Sequence, residues 1–309
     1  MIIMTEFRKI SIIGLGLIAS SICRTIKKKD PGIQLVGYDK DNEVRKRAKK
    51  IGLCEIEGNI ENAVSGSKLI ILCVPVGQMQ AVIQKLKKFI RPGTIITDVG
   101  SVKLSVIEEL EFDIEEAKGK FVPSHPIAGT ERSGPDAGYA GLFEGRWCIL
   151  TPTKKTNKKA LKSVETFWKF LGMQTKIMTP EHHDLVLAVT SHAPHLIAYT
   201  MVGGVDDLEA VTKSEIINYS AAGFRDFTRI AASDPVMWRD IFLNNQDAHL
   251  EVLGRFTEEL FSLQRAIRKK DGEYLLKYFE RTRSIRKGII AAGQAVSYTH
   301  LTLPTKRIV

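Results

Sequence analysis

The run Gly14-Leu15-Gly16-Leu17-Ile18-Ala19 follows the apolar stretch Ile10-Ser11-Ile12-Ile13 and precedes a helical pattern opening at Ser20. In that order each position has a physical task. Gly14 permits a tight turn, Gly16 lets the backbone approach a diphosphate, and Ala19 is small enough for the helix to pack on the strand. The amides and dipole of the following helix favour an anion. Contacts to a dinucleotide are therefore expected at Gly14, Gly16, Leu17 and Ile18. Asp39, after a second apolar run from Leu35 to Tyr38, stands where an acid accepts hydrogen bonds from ribose hydroxyls and repels a 2′-phosphate. That favours NAD; Lys40 beside it works the other way and leaves NADP open. A glycine-rich turn alone is weak, but strand, turn, helix and acid in this order are specific. The competing reading is a dinucleotide fold that has lost its ligand.

His125, in Ser124-His125-Pro126-Ile127-Ala128-Gly129-Thr130-Glu131, is expected in a loop just past a strand end. Hydride removal from an alcohol requires the hydroxyl proton to leave, and an imidazole titrates in the range to take it. The alternative is a histidine that only fixes the loop. Val74-Pro75-Val76 and Asp98-Val99-Gly100-Ser101 end two further strands at the edge where open α/β sheets bind ligands, so they are cofactor or substrate candidates by position.

Around these residues, short apolar runs alternate with amphipathic stretches from Lys9 to Leu150. This predicts a doubly wound, Rossmann-like α/β domain with a parallel sheet. A helix over Lys158–Leu171 and a strand over Gln174–Met178 complete residues 1–179, with Thr179-Pro180 as the boundary. Beyond it strand signals vanish. Asp184–Val202, Ala210–Ala232, Pro235–Lys269 and Gly272–Ala292 carry apolar residues at spacings of three and four, so 180–296 should be all-helical. Several of these helices, notably His182–Val202, are apolar around much of their circumference. A bundle this small buries such helices poorly alone, and a homodimer is expected.

The chain is 309 residues long, 44% hydrophobic and 26% charged, enough for two folded domains. Its apolar runs, such as Leu69–Val74, look strand-sized and argue against a membrane protein. The opening MIIMTEFRK has no secretory or transit character, so a cytoplasmic location is the expectation. The four cysteines lack metal or redox spacing and read as reduced, buried thiols. The net charge of +10 comes with neither a nucleic-acid module nor interleaved aromatics, and suits the attraction of anionic small molecules. From Ser297 the sequence SYTHLTLPTKRIV breaks the helical pattern and reads as a disordered or non-native tail.

The stretches GLGLIASSI, DVGSVK, SHPIAGTERSG, HHDLVLAVTSHAPH and AAGFRDFTRIAASDPVMW together give a more specific signal. Through them the chain resembles the prephenate dehydrogenases, including cyclohexadienyl dehydrogenases that also accept arogenate. The resemblance implies oxidative decarboxylation of prephenate to 4-hydroxyphenylpyruvate, or of arogenate to tyrosine, with hydride passing to NAD. It further implies that His125 takes the substrate hydroxyl proton while Ser101 orients the same region. Arg229 would receive a substrate carboxylate, which suits an always-charged planar guanidinium. His195 would lie near the substrate side chain, Thr130 and Trp238 around the substrate or the inhibitor tyrosine, and Asp184 near the pocket mouth. Trp238 also reads as core packing, and Arg225 as the arginine for an ion pair. His192 and His195, three apart, invite a zinc reading, but Pro194 disturbs their helix and the family uses no metal. Ala221-Ala222 replace glycines common in the family and bear on pocket shape and inhibitor response.

Two alternatives are weighed against this. Other helical-domain hydroxyacid dehydrogenases use a catalytic lysine in a GGxxxGxxxK setting, absent here. A non-catalytic NAD-binding regulator would have no need of His125, Ser101 and Arg229 together. No region resembles a chorismate mutase, and too little chain follows Ala292 for a regulatory domain, so tyrosine inhibition would act at the active site.

Overall fold

The structure is a computed structural model that describes residues 6–130, 132–206 and 222–291. The tail from Ser297, Ala221, and the 210–221 part of the expected helix lie outside them. Strands β1 (Lys9–Ile13), β2 (Gln34–Tyr38), β3 (Glu55–Ile56), β4 (Leu69–Leu72), β5 (Ile95–Asp98) and β6 (Lys120–Val122) form one sheet in the order β3-β2-β1-β4-β5-β6. Every pairing in it is parallel. This is the doubly wound order with its reversal between β1 and β4, the place where such sheets bind dinucleotides.

Helices α1 (Leu17–Lys29), α2 (Asn42–Lys50), α3 (Ile60–Val64), α4 (Met79–Leu86), α5 (Leu104–Glu116) and α6 (Lys158–Leu171) cover the sheet. Alternate strand residues point to opposite faces. Ile10, Ile12, Leu69 and Ile71 thus pack with Ile22 of α1 and Phe167 of α6. Ile13, Ile70 and Leu72 pack with Ile83 of α4 and Leu110 of α5 on the other side.

The sheet does not continue as expected beyond β6. Strands β7 (Ser124–Pro126), β8 (Trp147–Leu150) and β9 (Gln174–Ile177) make a separate three-stranded sheet in which β7 and β8 are antiparallel. Pro123 lies between β6 and β7 and has no N–H to extend the ladder; its carbonyl instead accepts from Thr151 N. His125 is consequently a strand residue, not a loop residue.

Helix α7 (Pro180–Leu187) runs through a π-turn, Ala188–His192, into α8 (Ala193–Asp206). Thr179 caps its start by accepting from His182 N. The disturbance expected from Pro194 is this π-turn, a local widening of the helix rather than a break. By length and mean hydropathy (1.4), Pro180–Gly204 qualifies as a membrane span, so the expectation of strand-sized apolar runs fails here. Its His183, Asp184 and His192 are nonetheless buried within the protein. Helix Ala222–Thr228 leads into a 3-10 turn, Arg229–Ala232. The expected helix Pro235–Lys269 is two, Pro235–Asn244 and Gln246–Lys269, separated by Asn245.

The chain divides into compact units at residues 1–252 and 253–309. In the second, helical residues up to Lys269 and helix Gly272–Ala291 flank a turn at Lys270, whose φ is 54°. This unit leaves Phe256, Leu260, Phe261, Leu276, Phe279 and Ile285 exposed.

Candidate active site

The β1–α1 turn is built as its residue types require. Gly14 has φ +90°, and a Cβ on it would lie 2.7 Å from the Cys73 carbonyl oxygen, so no other residue fits. A Cβ on Gly16 would meet nothing within 4 Å, which leaves the backbone open to an approaching diphosphate. No side chain caps α1 after Gly16, so its first amides stay available to an anion. Asp39 closes the turn, with Oδ2 accepting from Leu15 N at 2.9 Å and Oδ1 from Asp41 N at 2.9 Å. Arg45 donates to the Asp39 and Lys40 carbonyls and lies over the Tyr38 ring, bracing the loop from outside. These features fit a dinucleotide. Val74 and Pro75 follow β4, half-buried, and lead into a 3-10 turn, Val76–Gln78.

At the ends of β5 and β6 lies a fully buried ion pair that the residue pattern alone does not reveal. Lys103 and Asp98 are both 0% exposed and bonded to each other. Lys103 Nζ also donates to the Ser124 carbonyl at 2.9 Å, and Asp98 accepts from Gly100 N and Ser124 N. The pair is therefore compensated on both sides, as a charge out of water must be. It fixes the turn that carries Ser101, half-buried between its two members, and the strand that carries His125. Its trace in the sequence is the DVGSVK segment, which carries both Asp98 and Lys103.

His125 is buried, with Nδ1 2.9 Å from Nε2 of His183, and His183 Nδ1 lies 2.7 Å from Asp184 Oδ1. Burial first, then the neighbouring His183 and the Lys103 charge, push the His125 pKa well below the usual imidazole range. His183 is lowered by burial too, against the opposing pull of Asp184. Asp184, expected at the pocket mouth, is instead 1% exposed. Its Oδ1 also accepts from Lys103 N and its Oδ2 from Leu104 N, so it holds the start of α5. Asn245 donates to the Asp184 carbonyl at 3.0 Å, which accounts for the break between its two helices.

A second cluster lies on α8 and the helix Pro235–Asn244. His195 stacks on Trp238, ring centroids 3.8 Å apart and planes 25° from parallel. Its Nδ1 donates to the Ser191 carbonyl at 2.8 Å, which leaves Nε2 as an acceptor. Burial and the positive charge of Arg229 lower its pKa. Arg229 is exposed at the start of a 3-10 turn, not on a rigid helix. Trp238 is 6% exposed and packs with Val102 and Ile241, so the packing reading holds alongside its contact with His195. His192 is buried between Trp238 and His249, with its pKa pushed down to about 3 by burial and the neighbouring His249. Both histidines thus pack on Trp238, His195 face to face and His192 edge-on. Among the described residues no three His, Cys, Asp or Glu side chains converge to hold a metal ion. Thr130 lies on an exposed loop, its hydroxyl accepting from Arg132 N, and joins neither cluster.

Residues 22–177 match the family described as prephenate dehydrogenase, nucleotide-binding domain, and residues 179–281 match prephenate dehydrogenase, dimerization domain. Cyclohexadienyl dehydrogenase of Zymomonas mobilis is 44% identical over 92% of this chain and 96% of its own. Prephenate dehydrogenase of Bacillus subtilis is 35% identical over 89% of this chain and 74% of its own. Among solved structures, prephenate dehydrogenase of Aquifex aeolicus, in complex with hydroxyphenyl propionate and NAD+, superposes with a TM-score of 0.82 at 34% identity, covering 91% of this chain and 98% of that one. A nucleotide turn, a buried histidine at the sheet edge and these matches across both halves agree: the chain belongs to the prephenate dehydrogenase family.

Proposed function

We propose that this protein catalyses the NAD-dependent oxidative decarboxylation of prephenate in tyrosine biosynthesis, and accepts arogenate as well. The observation that carries the reading is His125: buried, held neutral by its surroundings, and adjacent to the sheet edge that receives the cofactor. When bound, NAD supplies the hydride acceptor. The substrate carbon bearing the 4-hydroxyl gives up a hydride, the ring carboxylate leaves as carbon dioxide, and the ring becomes aromatic. His125 accepts the hydroxyl proton as the carbonyl forms and returns it to the phenolate, so no net proton is released. Its depressed pKa suits this, since only the neutral ring can accept.

Ser101 orients the hydroxyl from the β5 turn. Arg229 receives a substrate carboxylate, with support from its electrostatic effect on His195. His195, through its bare Nε2, and Trp238 receive the side-chain end, where prephenate has a ketone and arogenate an ammonium. Asp184 leaves this set, because its carboxylate is occupied elsewhere. Asp39 reads the ribose and favours NAD over NADP. Tyrosine, if it inhibits, binds among these same residues.

We assign 1–179 to the nucleotide-binding domain and 180–296 to the helical domain, with the division of the two family matches at 177 and 179 in support. The helical domain pairs with a second copy. The apolar side chains left exposed on Leu185, Val189, Met201 and Val202 favour that pairing. A cytoplasmic location accords with four free cysteines. The test is reduced-cofactor formation with prephenate and arogenate, each crossed with NAD and NADP. Formation of NADH with prephenate is expected, and no activity in any combination would refute the enzyme reading.

A further inference from the structure

The hydrogen-bonded chain behind His125 ends on a group whose polarity is fixed. An ionised carboxylate only accepts, so the proton between His183 Nδ1 and Asp184 Oδ1, 2.7 Å apart, belongs to His183. The backbone amides of Lys103 and Leu104 donate to the same carboxylate, so both of its oxygens act as acceptors. A neutral His183 with Nδ1 protonated has Nε2 as its acceptor. His125 Nδ1, 2.9 Å away, must then carry the hydrogen between the two rings. That leaves His125 Nε2 bare.

We propose that His183 and Asp184 are positioning residues that lock His125 in the Nδ1–H tautomer and so present its Nε2 lone pair to the substrate hydroxyl. The proposal rests on the reading of His125 as the base and names how that base is prepared. Without the chain a neutral imidazole populates both tautomers, and the Nε2–H form offers the hydroxyl a donor where an acceptor is needed. The reverse polarity would require His183 doubly protonated. Burial and the Lys103 charge oppose that state.

The experiment combines long-range proton–nitrogen NMR of histidine-labelled full-length protein with kinetics of four variants. In the wild type His125, assigned by its loss in His125→Asn, is expected to show a protonated Nδ1 and a bare Nε2. His183→Leu removes the acceptor and Asp184→Asn removes the fixed polarity. Each should lower kcat by about 100-fold or more, the scale of losing a correctly protonated base, while KM for NAD holds. His183→Gln can place an amide oxygen where Nε2 was, and should restore most of the turnover together with the Nδ1–H signal. An Nε2–H tautomer in the wild type overturns the relay, and that measurement stands even if a variant fails to fold. Normal kcat in a folded, NAD-binding His183→Leu also overturns it. Near-normal turnover in His125→Asn would instead remove the base reading itself.

Discussion

The nucleotide turn follows the end of β1 and the His125 cluster gathers past the ends of β5 and β6, and the two are made of different materials. The turn from Ile13 to Leu17 offers backbone: a glycine at φ +90°, an amide tied to Asp39, and helix-start amides without a capping side chain. The His125 cluster offers side chains, His125, His183, Asp184, Lys103 and Asp98, taken from β5, β7, α7 and the turn before α5, and bonded to one another out of water. Backbone binding tolerates changes of side chain but not of Cβ. A buried side-chain network tolerates neither loss nor reversal of a partner.

The largest expected effect lies at the His125 cluster. His125→Asn should reduce kcat by about 100-fold or more, with NAD affinity measured by fluorescence titration unchanged. The converse holds at the turn, where Gly14→Ala should destabilise the fold by about 2–3 kcal/mol, through a left-handed φ and a Cβ in contact with the Cys73 carbonyl. Chemical denaturation checks this, and a change below about 0.5 kcal/mol would show that the turn relaxes freely.

At the open end, Arg229→Leu should raise KM for prephenate by about 10-fold or more, the scale of one charge-assisted contact, with a smaller change in kcat. An unchanged KM would separate Arg229 from the substrate. The smallest effect concerns pH. His125, His183 and His192 have folded pKa values below the unfolded one, so the unfolded chain binds more protons as pH drops below about 6.5, and stability falls with it. For His192 this window extends down to about pH 3. His192→Leu should flatten the acid slope by up to about 1.4 kcal/mol per pH unit without lowering turnover at neutral pH. An unchanged slope would show that another group sets acid stability.

Much of this architecture is legible in the amino-acid sequence. The β1–α1–β2 unit is encoded locally, in strand, glycine spacing and acid, and it folds as read. Pro194 announces a disturbance in its helix, though not that it takes the form of a π-turn. The separate sheet at β7 is not legible, because an apolar run does not state which neighbour it pairs with. Lys103 escapes a reading of the sequence for a similar reason: a lysine is placed inside only by an acid that happens to meet it there.

By itself the sequence determined the cofactor fold, the family, and His125 as the residue to watch, since each rests on residue types at short spacing or on many matched segments at once. Only the tertiary structure decided what surrounds that histidine. A protonation state is set by partners and burial, and those of His125 come from His183, 58 residues away, and from the Asp98–Lys103 pair beneath the strand. It also moved Asp184 from the pocket mouth to a buried place behind His183, at the far end of the hydrogen-bonded chain from His125.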